Sequence, residues 1–247
     1  YAQFNLGAMY EHGHGVDVDY KKAIEWYKKA AEQGHAQAQC NLGIMYDQGH
    51  GVDVNYKKAF EWYKKAAEQG DADAQCNLGV MYCNGLGVDV SYKKAREWYE
   101  KAAKQGHAKA QYNLGFMHKN GHGVDVNYKK AIAWLEKAAE QGDADAQYNL
   151  GSMYGQGHGV DVNYKKAFEW YEKAAEQGIA LAQGYLGVMY HQGHGVDVNY
   201  KKSIEWWEKA AKQGEAEAQY NLGSMYENGH GVDQDDSIAM RWYAKAA

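Results

Sequence analysis

The sequence predicts an all-α protein, an α-solenoid of seven 36-residue helix-turn-helix repeats filling the whole chain. Three observations predict it. First, marker residues return every 36 positions: glycine at Gly7, Gly43, Gly79, Gly115, Gly151, Gly187 and Gly223, and tryptophan at Trp26, Trp62, Trp98, Trp134, Trp170, Trp206 and Trp242. A period of 20–50 residues marks solenoids, propellers or arrays. Second, both halves of each repeat place apolar residues with the helical period of 3.6, and no stretch alternates with period 2. Third, the chain has no proline, and its 29 glycines punctuate the periodic stretches. The repeats run 1–34, 35–70, 71–106, 107–142, 143–178, 179–214 and 215–247, the first and last truncated, and read as a single solenoid domain.

The second repeat shows the logic of each element. From Ala36 to Gln48, Ala38, Leu42, Met45 and Tyr46 mark one helical face, and Gly49 and Gly51 stop the helix. From Tyr56 to Gln69, Ala59, Trp62, Tyr63 and Ala66 mark a second face. Asn55 precedes it where a side-chain acceptor can cap free N–H groups; its column reads Asp19, Ser91, Asn127, Asn163, Asn199 and Asp235. Gly70 follows where a left-handed residue is favoured. One such hairpin cannot bury its apolar face, but a stack can. Alanine and glycine then allow close helix approach, and the tryptophan and tyrosine columns fill the wider gaps of the core. Lys57, Glu61 and Lys65 read as a solvated outer face with weak i, i+4 pairs.

Composition narrows the function. Apolar content of 45% supports a sizeable core. A net charge of −5 with mixed signs offers no footprint for nucleic acid or anionic lipid. No run of about 18 apolar residues exists, so no membrane insertion is expected. The chain starts at Tyr1, in mid-pattern and without methionine, as a fragment of a longer product would; any export signal would lie outside it. The truncated terminal repeats are expected to fray, or to stack end to end on another copy of the chain.

The stretch AQAQCNLGIMYDQGHGVDVNYKKAFEWYKKAAEQG resembles the Sel-one-like repeat, a relative of the tetratricopeptide repeat. The matching residues are Ala38, Leu42, Gly43, Tyr46, Gly49, Gly51, Val52, Lys58, Ala59, Trp62, Tyr63, Ala66, Ala67 and Gly70, and the match extends over all seven repeats. The resemblance implies a right-handed superhelix whose concave side is lined by the first helix of each pair. It also implies an adaptor that assembles other proteins rather than an enzyme. A cysteine-rich bacterial branch of that family carries a disulfide in each repeat, and this chain departs from it.

No constellation calls for catalysis or a cofactor. Cys40 and Cys76 share a column in adjacent repeats, and Cys76 and Cys83 lie seven apart on one helix, so all three read as free thiols. That leans towards a reducing, cytoplasmic compartment, although export is not excluded and the localisation is open. His14, His50, His122, His158, His194 and His230 form a loop column too widely spaced for neighbours to share one ion. They read as loop side chains near the negative end of the first helix. Asp71, Asp73, Asp143 and Asp145 fall near helix starts, where the dipole favours negative charge. The GHGV motif lacks the lysine and preceding strand of a phosphate loop.

The candidate site is therefore a surface. On the first helix, the face opposite Leu42 holds Gln37, Cys40, Asn41, Ile44, Asp47 and Gln48. Asn5, Asn41, Asn77, Asn113, Asn149 and Asn221 form a row that Tyr185 interrupts, with Tyr112, Phe116, Tyr148 and Tyr220 beside it. An asparagine amide offers donors and an acceptor to a peptide backbone of any sequence. The alternative is that the asparagines bond between helices. The function expected is a protein–protein interaction scaffold gripping an extended peptide or loop of a protein partner. An envelope protein acting on or binding cell-wall fragments would want a clustered acid, base or nucleophile. A nucleic-acid binder would want basic residues in every repeat, against a pI of 6.1.

Overall fold

The computed structural model describes residues 1–247, which form fourteen α-helices and no strand. They are α1 (Ala2–His12), α2 (Tyr20–Glu32), α3 (Ala36–Gln48), α4 (Tyr56–Glu68), α5 (Ala72–Asn84), α6 (Tyr92–Lys104) and α7 (Ala108–Asn120). There follow α8 (Tyr128–Glu140), α9 (Ala144–Gln156), α10 (Tyr164–Glu176), α11 (Ala180–Gln192), α12 (Tyr200–Lys212), α13 (Ala216–Asn228) and α14 (Asp236–Ala246). Packing gathers them into two compact halves, Tyr1–Val126 with α1–α7 and Asn127–Ala247 with α8–α14. Within each half, every helix packs on the next in sequence.

The helix ends are set by local chemistry. Asn55 Oδ1 accepts from the Lys58 N–H at 3.0 Å, and Asn163 does the same for Lys166. Such a cap contributes about 1 kcal/mol. Gly70 takes φ +98 after the second helix, which turns the Asp71 N–H back to the Ala66 carbonyl. First helices are capped too: Asp71 Oδ1 accepts from the Ala74 N–H at 2.8 Å, and His35 Nδ1 from Ala38. Ile179, at the same place before α11, has no such bond.

The core is built on a glycine–aromatic pair. A Cβ on Gly43 would lie 2.4 Å from Cδ1 of Tyr63; Trp207 lies as close over Gly187, and Tyr171 at 2.7 Å over Gly151. Tyr63 is 2% exposed, with Leu42, Met45, Leu78 and Met81 also in the core. The tryptophan column is placed differently from the sequence expectation. Trp62, Trp98, Trp170 and Trp206 are only half-buried. The lysine three residues on covers each ring, Lys65 at 4.3 Å, Lys101 at 3.8 Å, Lys173 at 4.2 Å and Lys209 at 3.8 Å from the centroid. The outer face is therefore a series of cation–π pairs as well as a solvated surface.

Two further devices join successive repeats. Gln39 Nε2 donates to the Ala31 carbonyl at 3.0 Å, and Gln69 Nε2 donates to Gln39 Oε1 at 2.6 Å. Gln75 and Gln105 repeat this, as do Gln147 with Gln177 and Gln183 with Gln213 in the second half. The buried amides are thus hydrogen-bonded, as buried polar groups must be. The loop histidines supply the other device. His50 stacks on Tyr20 at 5.0 Å and His122 on Tyr92 at 5.4 Å. In the second half His158 stacks on Tyr128, His194 on Tyr164 and His230 on Tyr200. Each histidine packs on the tyrosine that opens the preceding repeat's second helix, rather than serving only its own helix end. Gly51 makes this approach possible, since a Cβ there would sit 2.8 Å from the Tyr20 carbonyl carbon.

Candidate protein-interaction surface

The first helices carry the asparagine row. Asn5 is exposed, and Asn41, Asn77, Asn113 and Asn221 are half-buried. Asn149 is buried, and its Nδ2 donates to the Asp145 carbonyl at 2.8 Å. Asn41 on α3 lies beside the Tyr27 hydroxyl of α2, which donates to Glu11. The row thus does structural work at Asn149, while Asn113 and Asn221 border open clefts.

The aromatic residues are brought together. In the first half the rings of Tyr112 and Phe116 lie 6.2 Å apart, and Phe116 is exposed. Val80, Cys83, Tyr99, Asn113, Phe116 and His122 line a cleft of about 380 Å³. In the second half Tyr185 stacks on Tyr171 at 5.0 Å with planes 5° apart, and Tyr148 lies against both. Tyr220 is 58% exposed and packs on Tyr243. Tyr99, Tyr171 and Tyr243 belong to the tyrosine column that Tyr63 marks, which the sequence places in the core; they also border this surface. The alternation of variable and constant columns along the first helix was the only signal that could have indicated it.

Two residue assignments on this face change. Cys40, grouped by helical position with the open face, is 1% exposed, and Cys76 is 4% exposed. The Asp47 column faces the core tyrosines rather than open solvent alone. Glu11 accepts from the Tyr27 hydroxyl, Glu227 accepts from Tyr243 at 2.7 Å, and Cys83 lies 3.8 Å from the Tyr99 hydroxyl. Burial raises the Asp47 carboxyl above its ordinary range and raises Tyr63 as well.

Burial pushes the Cys76 thiol up to about 12 and raises Cys40 and Cys83 too, which leaves little thiolate at neutral pH. No group of three or more His, Cys, Asp or Glu gathers as a metal would need. No helix is long and apolar enough to cross a membrane. What the face presents is amides, aromatic rings and shallow apolar clefts.

The comparisons with known proteins agree with the fold. The family model described as Sel1 repeat matches residues 1–35, 36–71, 72–107, 108–143, 144–179, 180–215 and 216–247. The crystal structure of a protective antigen present in uropathogenic Escherichia coli strains, displaying an SLR fold, is 41% identical with a TM-score of 0.93. That match covers 99% of this chain and 53% of the antigen, so the chain spans about half the antigen's length. A Sel1 repeat protein from Oxalobacter formigenes is 34% identical with a TM-score of 0.85, over 99% of this chain and 96% of that one. An immunity protein from Pseudomonas aeruginosa shares the fold at 24% identity and a TM-score of 0.53, over 88% of this chain and 81% of that one. Comparison with curated proteins yields no match. Proteins with this repeat are generally protein-interaction scaffolds, and the fold is typically non-catalytic. With consecutive matches running from Tyr1 to Ala247, the chain belongs to the Sel1 repeat family.

Proposed function

We propose that this chain is a scaffold that binds an extended segment of a partner protein on the exposed face of its first helices. One observation carries the reading: that face varies while the core beneath it does not. Leucine holds Leu6, Leu42, Leu78, Leu114, Leu150, Leu186 and Leu222. Two residues further on, the sequence changes from Ala8 and Ile44 to Val80, Phe116, Ser152, Val188 and Ser224. Phe116, Tyr185 and Tyr220 expose aromatic surface there, as anchors of an interface would. Asn113 and Asn221 supply amides that match peptide N–H and C=O groups whatever the partner's side chains.

The test is capture of a protein partner by the immobilised chain, repeated with Asn113→Ala/Phe116→Ala and with Tyr185→Ala/Tyr220→Ala. Circular dichroism should show unchanged helix in both variants. Each lost neutral hydrogen bond is expected to weaken binding by about 0.5–1.5 kcal/mol, and each lost aromatic anchor by more. A partner retained at full affinity by both variants would overturn the reading.

A further inference from the structure

Glycine inside a helix weakens it, because the unfolded backbone has more freedom to lose. Most glycines here have a structural reason. Those of the Gly43 column leave space for an aromatic ring, and those in the turns adopt φ between +67 and +98. Gly155 in α9 and Gly184 in α11 have neither reason. A Cβ on Gly155 would meet nothing nearer than the Ala167 Cβ at 3.6 Å, and one on Gly184 nothing nearer than Glu215 Oε2 at 3.7 Å. Both are ordinary contact distances. Other repeats fill these positions, the first with Glu11, Asp47 or His191 and the second with Phe4, Tyr148 or Tyr220.

Each missing side chain opens a cavity, and the two cavities flank α11 and share Tyr185 and Val188. The Gly155 cavity, about 170 Å³, lies beside the stacked pairs Tyr164–His194 and Tyr171–Tyr185. No carboxylate, lysine or arginine lines it. The Gly184 cavity is a slot of about 40 Å³ walled by Leu181, Tyr185, Val188 and Trp207, with Glu215 and Glu217 at the rim and no basic residue. The Trp207 N–H is taken by the Gly184 carbonyl at 3.1 Å, and Glu215 caps α13 through the Ala218 N–H. Glu217 is exposed.

Resting on the peptide-binding reading above, we propose that these cavities are neighbouring subsites for one apolar and one basic side chain of the same extended peptide. Leucine, methionine or phenylalanine enters the uncharged Gly155 cavity. Lysine or arginine lies along the slot, its stem on Leu181 and Val188, its charge over the aromatic rings and towards Glu217. A helix about 10 Å wide separates the two. About three residues of extended chain span that width.

The experiment selects a phage-displayed library of random dodecapeptides on the whole chain and measures synthetic copies of the enriched sequences. The expected result is an apolar residue and a lysine or arginine about three positions apart. Gly155→Glu and Glu217→Lys should each weaken binding at least tenfold. A peptide with glutamate in place of its basic residue should regain affinity for Glu217→Lys. Circular dichroism checks that both variants stay helical, and Gly155→Leu replaces Gly155→Glu if the latter unfolds. Enriched peptides that lack the pair, or bind the variants as tightly as the parent, overturn the subsites and leave the broader reading standing. No enriched peptide at all overturns both.

Discussion

Helices α5 and α11 occupy equivalent places in their repeats and differ mainly on the outside. Each has thirteen residues and ends at a left-handed glycine, Gly85 or Gly193. Leu78 and Leu186 are fully buried, and Gly79 and Gly187 lie under the rings of Tyr99 and Trp207. The outer faces diverge. α5 begins with the Asp71 cap and buries Cys76. α11 begins with uncapped Ile179 and exposes Leu181 and Tyr185, with a gap at Gly184 between them. The repeat thus constrains one side of each first helix tightly and leaves the other free to specialise. α11 has exchanged a stabilising cap for an apolar, partly open surface.

The largest expected effect tests the shared side. Leu78→Ala and Leu186→Ala should each cost about 2–5 kcal/mol in urea unfolding followed by circular dichroism. A large inequality between them would break the equivalence of the two cores. Glycine substitutions should then split by sign. Gly79→Ala drives a methyl into the Tyr99 ring and should cost about 1–3 kcal/mol, as overpacking does. Gly184→Ala meets no close atom and should raise stability by about 0.5–1 kcal/mol. If both destabilise, Gly184 has a packing role after all.

The caps sharpen the contrast further. Asp71→Ala should lose about 1 kcal/mol, and Ile179→Asp should recover a similar amount in α11. An Ile179→Asp variant that gains nothing would mean that the apolar side chain compensates for the missing cap. The smallest effect concerns the thiols. Burial raises the pKa of all three thiols, but Cys40 and Cys76 are buried and Cys83 only half-buried, so native-state alkylation at pH 8 should reach Cys83 first. For Cys76 the folded state holds its proton up to about 12 while the unfolded thiol loses it from about 9. Its contribution is present below pH 9 and is lost as pH rises towards 12. Equal labelling rates at pH 8 would contradict the burial.

The helices and their ends were legible in the sequence because each depends on a few neighbouring residues. Asn55, Gly49 and Gly70 act within one turn of where they stand. The choice between Trp62 and Tyr63 as the central ring was not legible. They are adjacent on the helix, both recur every 36 residues, and only packing against Gly43 decides which points inward. The His50–Tyr20 contact was hidden for a similar reason: its partners are thirty residues apart and meet only once the loop crosses the preceding repeat. Asn149 looked like its row-mates, yet it is buried where Asn5 is exposed. A column shows that a position is constrained; it does not show by what.

The glutamine rungs between repeats have a consequence for how such a gene can change. Each rung joins the same partners: Gln75 takes the Ala67 carbonyl as Gln111 takes that of Ala103. Excise residues 71–106 in register, and Gln111 meets Ala67 in a junction chemically the same as the one removed. Recombination between misaligned copies can therefore lengthen or shorten the array by whole repeats, each time presenting a new order of outer faces on an interface that already fits.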